Sequence, residues 1–269
     1  KTVAASAPLF VFADTDIFAK APKRLTAAGV SDILGKYIAL ADWKIASILS
    51  EEYYCAEVVN LETRAVRTVK DNLKEIAAGE EEACEKLMYA LVLSGLAMQM
   101  TGSSRPASGA EHHLVHLWDM EVVNGHLDAL HGEKVSGGTM LVLLEYKKIA
   151  DAIRRGTCKV HTCTEEDQEL LKETFGKKGI LGALEKENTP EPLDDVSTRE
   201  LSDALPRILK IIDALPAVTD MQEMMNTAGC VSRVRDIGLP GEVIEESLLL
   251  APYTRRRLSL LRLRKMLTY

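Results

Sequence analysis

The chain has 269 residues, 46% hydrophobic and 27% charged, with a formal net charge of −7. That length can bury one large core or two ordinary ones. The acidic balance excludes nucleic acid as the main partner, because neutralising phosphates requires a basic footprint.

In chain order, residues 8–13 (PLFVFA) form the one convincing strand, an apolar run ending at Asp14-Thr15-Asp16. Almost everything after it reads as helix. Residues 26–49 carry apolar positions at helical spacing, with Gly29 and Gly35 allowing close approach, and 51–77 form a long amphipathic helix stopped by Gly79. The apolar run at 82–100 is interrupted by Tyr89, Ser94 and Gly95, which reads as a buried core helix and not a membrane span. Gly109 opens a histidine-rich helix to about Val122, and 135–154 form the next, its start rich in small residues. Shorter helices are predicted at 165–175, 199–215, 220–228, 242–250 and 252–266, with a proline-containing acidic loop at 188–195. The cluster Arg255-Arg256-Arg257, Arg262, Arg264 and Lys265 reads as the polar face of that last helix. The fold class is therefore mainly α, a multihelical domain with a short N-terminal β segment.

Five cysteines, odd in number and irregularly spaced, read as reduced thiols in a cytoplasmic protein. Cys158, His161 and Cys163 lack the second ligand pair that a zinc knuckle needs. No charged n-region, apolar run and cleavage site occur in order before Leu9, so no signal peptide is expected.

His112 and His116 stand four apart on one helical face and can share a metal, or one can ligate while the other supports it. His131 follows fifteen residues later at a loop-to-helix junction, and Asp32 with Lys36 lies on an earlier helix beside two glycines. One carboxylate and two imidazoles from separate elements suit a catalytic divalent ion, since three protein ligands leave a position open. Zinc, nickel, iron and manganese all accept that donor set. Taken singly, each piece has a plainer explanation: a solvated Asp–Lys pair, or surface histidines such as His126. No HExxH pair is present, which disfavours hydrolytic zinc chemistry.

The run GSSRPASGAEH at 102–112 resembles the signature of the sn-glycerol-1-phosphate dehydrogenases, as do DILGKY at 32–37, ADW at 41–43 and HGEKV at 131–135. These enzymes sit with the iron-containing alcohol dehydrogenases and dehydroquinate synthases. The resemblance is strong from about Leu9 to Met140 and returns faintly at residues 253–261. It implies metal-dependent interconversion of dihydroxyacetone phosphate and sn-glycerol 1-phosphate with NAD(P). It also implies Asp32, His112 and His131 as ligands of zinc or nickel. Related iron enzymes place a fourth ligand where Lys36 stands, and a cation cannot ligate. Lys36 is then a catalytic or substrate-binding group, and His116 either a support behind the ligands or a proton relay; on charge alone, Arg105 is either a phosphate contact or a clamp within its loop.

The family's nucleotide-binding half precedes the first ligand by well over a hundred residues, whereas Asp32 has thirty-one before it. No Gly-rich turn follows a strand, and neither 132–138 nor 176–182 has dinucleotide-site spacing. The expected organisation is residues 1–25 as a remnant strand and linker from an absent NAD(P)-binding domain, and 26–269 as the helical metal- and substrate-binding domain, inactive alone. A small phosphorylated polyol is the expected partner, with a homo-oligomer possible through the C-terminal or 51–77 helix. A dehydroquinate synthase-like or other polyol dehydrogenase relative, or a non-catalytic helical interaction domain, stand as alternatives.

Overall fold

The computed structural model describes residues 7–163 and 168–269. Asp14 caps the short α1 (Thr15–Ala19) by accepting from the Ile17 amide, and beyond Pro22 the long α2 (Lys23–Leu49) begins. At 27 residues α2 spans about 40 Å. It buries residues on nearly every face, as a helix enclosed by others must. Around it lie α3 (Ala56–Lys70), α4 (Leu73–Ala78), α5 (Glu81–Thr101), α6 (Ala110–Asp119) and α7 (His131–Arg154).

The second half continues through β1 (Lys159–Val160), α8 (Gln168–Gly176), α9 (Leu181–Glu187), α10 (Thr198–Asp213) and α11 (Val218–Thr227). It ends with α12 (Ile244–Leu250), α13 (Leu260–Leu263) and β2 (Leu267–Thr268), which pairs antiparallel with β1. No described helix is long and apolar enough to cross a membrane.

Two glycines set how closely the central helices meet. A Cβ on Gly132 would lie 2.1 Å from the Ala28 carbonyl oxygen of α2, and one on Gly138 2.8 Å from the Glu111 carbonyl oxygen of α6. Backbone therefore packs on backbone where α7 crosses both neighbours. Asp42 then ties the crossing together. Its buried carboxylate accepts from the Ala110 amide (2.8 Å), the Tyr146 hydroxyl (2.7 Å) and the Leu260 amide (2.9 Å). One side chain of α2 so caps α6 and holds α7 and the C-terminal segment.

Several expectations need correction. Residues 8–13 carry no strand or helix, with Leu9 and Phe12 93% and 95% exposed. A strand needs a partner edge, and the one ladder among the described residues joins β1 to β2. The helix expected at 51–77 is divided. Residues 51–55 are pinned in extended form, with the Trp43 indole donating to the Tyr53 carbonyl, and Asn72 breaks the helix by turning its amide back to the Thr68 carbonyl. The histidine helix stops at Asp119 rather than Val122, and α7 starts at His131 rather than 135. Of the helix predicted at 165–175, residues 165–167 lie outside the described set.

The largest departure is at 252–266, which is no continuous helix. Arg262 is 1% exposed, and it donates to the Pro252 and Arg255 carbonyls, to Asn188 and to Glu191. A buried guanidinium needs acceptors around its fork, and non-helical backbone supplies them. Arg257 likewise donates to the Ser108 carbonyl and to Ser104, and Arg264 pairs with Glu145. The basic cluster is therefore largely internal cement and not a solvated face.

Burial lifts the Asp42 pKa to about 6 against the donors that oppose it. A carboxyl held above its unfolded value near 4 stabilises the fold when protonated and loses that advantage as pH rises through the folded pKa. Wild-type stability minus that of Asp42→Asn should therefore fall by ~3 kcal/mol between about pH 4 and pH 6. Urea denaturation at stepped pH measures this, and a flat difference contradicts it. Gly132→Ala should lower stability by about 3 kcal/mol through overpacking against Ala28; an unchanged melting temperature would count against the close crossing.

Candidate metal centre

Each candidate ligand is placed by a different helix. Asp32 lies early in α2, His112 in the first turn of α6, and His131 is the first residue of α7. The His112 Nε2 and Asp32 Oδ1 atoms are 3.4 Å apart, His131 Nε2 and His112 Nε2 3.4 Å, and His131 Nε2 and Asp32 Oδ1 3.9 Å. Bond lengths of about 2.0–2.1 Å in a tetrahedron require ligand–ligand edges of about 3.4 Å. The three donors thus outline one face of such a polyhedron, and the donor set fits a divalent ion. The His131 side chain is 54% exposed, so the remaining side of the site faces solvent.

The groups behind the ligands determine which atoms face inward. The His112 Nδ1 lies 2.7 Å from Glu111 Oε1, which also accepts from the Gly109 amide. Donation from Nδ1 to this carboxylate leaves Nε2 as the ligating nitrogen. Lys36 is 1% exposed and donates to Asp32 Oδ2 at 2.7 Å, which leaves Oδ1 for the site.

Charge follows the same geometry. Burial would raise the Asp32 pKa, but the Lys36 ammonium and the His112 contact outweigh it and hold the carboxyl well below its usual range. Burial would lower His112, yet Asp32 and Glu111 raise it to about 9. Burial and the neighbouring His112 lower His131. Burial, with Arg255, His112 and His131 nearby, lowers His116 to about 4, so it is neutral at pH 7. Its ring centroid lies 6.5 Å from that of His112.

The structure thus brings Asp32, His112, His131 and Lys36 together, with His116 beside them. Arg105 is different. It is buried, its fork engages Glu52, and it donates to the Leu258 carbonyl. These contacts make it a clamp between its loop, the 51–55 arm and the C-terminal segment. Glu111 was passed over in the sequence as a loop-to-helix residue; an acid beside a candidate ligand at a Gly-opened helix start was the available signal. His126 pairs with Glu121 at the surface. The Cys158, His161 and Cys163 group makes no metal-ligand cluster among the described residues.

Zinc analysis of the chain should find close to one equivalent. Asp32→Ala and His131→Ala should each remove it, and retention of stoichiometric metal in both variants would refute the three-donor site.

No family model matches the chain. Curated proteins do. A glycerol-1-phosphate dehydrogenase [NAD(P)+] of Halalkalibacterium halodurans is 33% identical over 261 residues, 97% of this chain and 57% of its own length. The protein of the same description from Geobacillus thermodenitrificans is 32% identical over 249 residues, 92% of this chain and 54% of its own. The one from Pyrococcus horikoshii is 39% identical over 157 residues, 57% of this chain and 44% of its own. The chain therefore spans about half the length of the curated relatives it matches. Identity at this level along nearly all of its residues makes the chain a member of the glycerol-1-phosphate dehydrogenase family.

Proposed function

We propose that the chain is the metal- and substrate-binding part of an NAD(P)-dependent cytoplasmic oxidoreductase that interconverts dihydroxyacetone phosphate and sn-glycerol 1-phosphate. In this reading residues 26–269 form that part, residues 1–25 lead towards a nucleotide-binding part carried by other residues, and the chain alone does not turn over. The observation that carries the proposal is the spacing of Asp32 Oδ1, His112 Nε2 and His131 Nε2, at 3.4–3.9 Å from one another. The relatives' descriptions, which print glycerol 1-phosphate and NAD(P)+, support the substrate and cofactor.

Asp32, His112 and His131 would hold zinc or nickel, which would supply Lewis acidity, and NAD(P) bound beside them would supply the hydride acceptor or donor. The chain's own groups position and relay. Glu111 keeps the His112 Nδ1 proton in place, and Lys36 keeps the Asp32 carboxylate turned toward the site. The neutral imidazole of His116 takes the C2 hydroxyl proton in the oxidative direction and gives it back in the reductive one.

Calorimetric titration of sn-glycerol 1-phosphate into the zinc-loaded chain tests the substrate assignment, and NADH oxidation with dihydroxyacetone phosphate tests the division of labour. Saturable binding that disappears in Asp32→Ala, without NADH turnover, is expected. Absence of binding by the loaded chain would sink the substrate assignment, and turnover by the chain alone would sink the division.

A further inference from the structure

Helices α3 and α10 both pack on α2, and between them a cleft of about 550 Å³ stays open over the α2 surface. Its floor is apolar, made by Leu40 and Ala41 of α2, Val66 of α3, and Ile211 and Leu215 around the end of α10. Small-molecule sites share this build, a concave apolar surface with a few polar groups that fix orientation.

The margin of the cleft carries Lys44, Arg67, Lys70 and Lys210, and no acid lines it among the described residues. All four residues are exposed, and none forms an ion pair among the described residues. The nearby acids have other surroundings. Asp213 pairs with Arg154, and Asp71 lines the adjoining depression between α4 and α11. In a chain of net charge −7, a cleft with cations alone at its rim is a local reversal of sign.

Helix ends explain part of this pattern. Arg67 and Lys70 lie in the last turn of α3 and Lys210 in the last turn of α10, where a cation complements the helix dipole. Lys44 has no such reason to be there, since α2 runs on to Leu49. Its ammonium lies 4.2 Å from the centroid of the Tyr54 ring, which packs in turn on Trp43 at 5.0 Å between centroids. That stacking holds Lys44 at the cleft without neutralising it. Charges of one sign above a low-dielectric floor focus their field into the space between them. A phosphate monoester, with a charge of about −1.5 to −2 and three acceptor oxygens, answers several cations at once.

We propose that this cleft binds an amphiphilic organic phosphate, its aliphatic body on the Leu40, Val66 and Ile211 floor and its anionic head among Lys44, Arg67, Lys70 and Lys210. The lining shares no residue with Asp32, His112 and His131, so the proposal does not rest on the metal reading.

The test is calorimetric titration of hexyl phosphate into the full chain, with inorganic phosphate and 1-hexanol as the head and the body alone. It compares wild type, Arg67→Gln/Lys70→Gln, Lys44→Gln/Lys210→Gln and Asp32→Ala, with thermal melting as a folding control for each. Hexyl phosphate should bind wild type at one site, at least about tenfold more tightly than either fragment, a factor that burying two methylenes supplies. Each double variant should weaken it by at least about tenfold, through lost charge-assisted hydrogen bonds. Asp32→Ala should leave it unchanged. No binding by wild type, equal affinity for either fragment, or full affinity in either double variant overturns the proposal. Loss of binding in Asp32→Ala places the phosphate at the metal centre and overturns it as well.

Discussion

Everything near the candidate centre depends on one buried carboxylate. Asp42 accepts hydrogen bonds from the first amide of α6, from Tyr146 in α7 and from the chain at Leu260, while its own backbone belongs to α2. These are the three helices that present Asp32, His112 and His131. A shift of any helix by an ångström would leave a buried donor without its acceptor, a larger penalty than a loosened apolar contact. The tie works only because α7 lies directly on the α2 and α6 backbones at Gly132 and Gly138, where any side chain would hold the helices apart.

A second layer of buried acids faces inward from that frame. Glu111 orients one imidazole, and Lys36 orients the carboxylate ligand. Glu62 on α3 is fully buried, and neither of its carboxylate oxygens has a hydrogen-bond partner. His116 is kept neutral by burial and by the cations around it, which suits a group that passes a proton.

Much of this was legible from residues alone. Long apolar periodicities yielded α2, α5 and α7 to within a few residues, and the loop at 188–195 was read from its prolines and acids. The candidate ligands were named through spacing together with family resemblance, since an i, i+4 histidine pair does not by itself say which member ligates. Legibility failed where a partner distant in sequence decides local structure. The apolar run at 8–13 looks like a strand until it is found without an edge to join. The C-terminal arginines look like a helix face until Arg262 is seen drawing carbonyls and acids around its fork. Asp42 was visible only as part of a motif, because its three donors lie 68, 104 and 218 positions away. Arg105 stayed open between clamp and phosphate contact for the same reason, its partner Glu52 lying 53 residues upstream.

The separation of the ligands along the chain also bears on how the domain assembles. Asp32 and His131 enclose a loop of roughly a hundred residues, whose closure in an unfolded chain carries an entropy cost comparable with that relieved by a long-range cross-link. A cation bridging them would therefore act as a reversible staple, joining the first helix of the core to the last one that completes the site. Such a staple binds the folded arrangement far better than the open chain, so occupancy and folding become a single equilibrium. In that sense the centre is as much an architectural keystone as a place for chemistry.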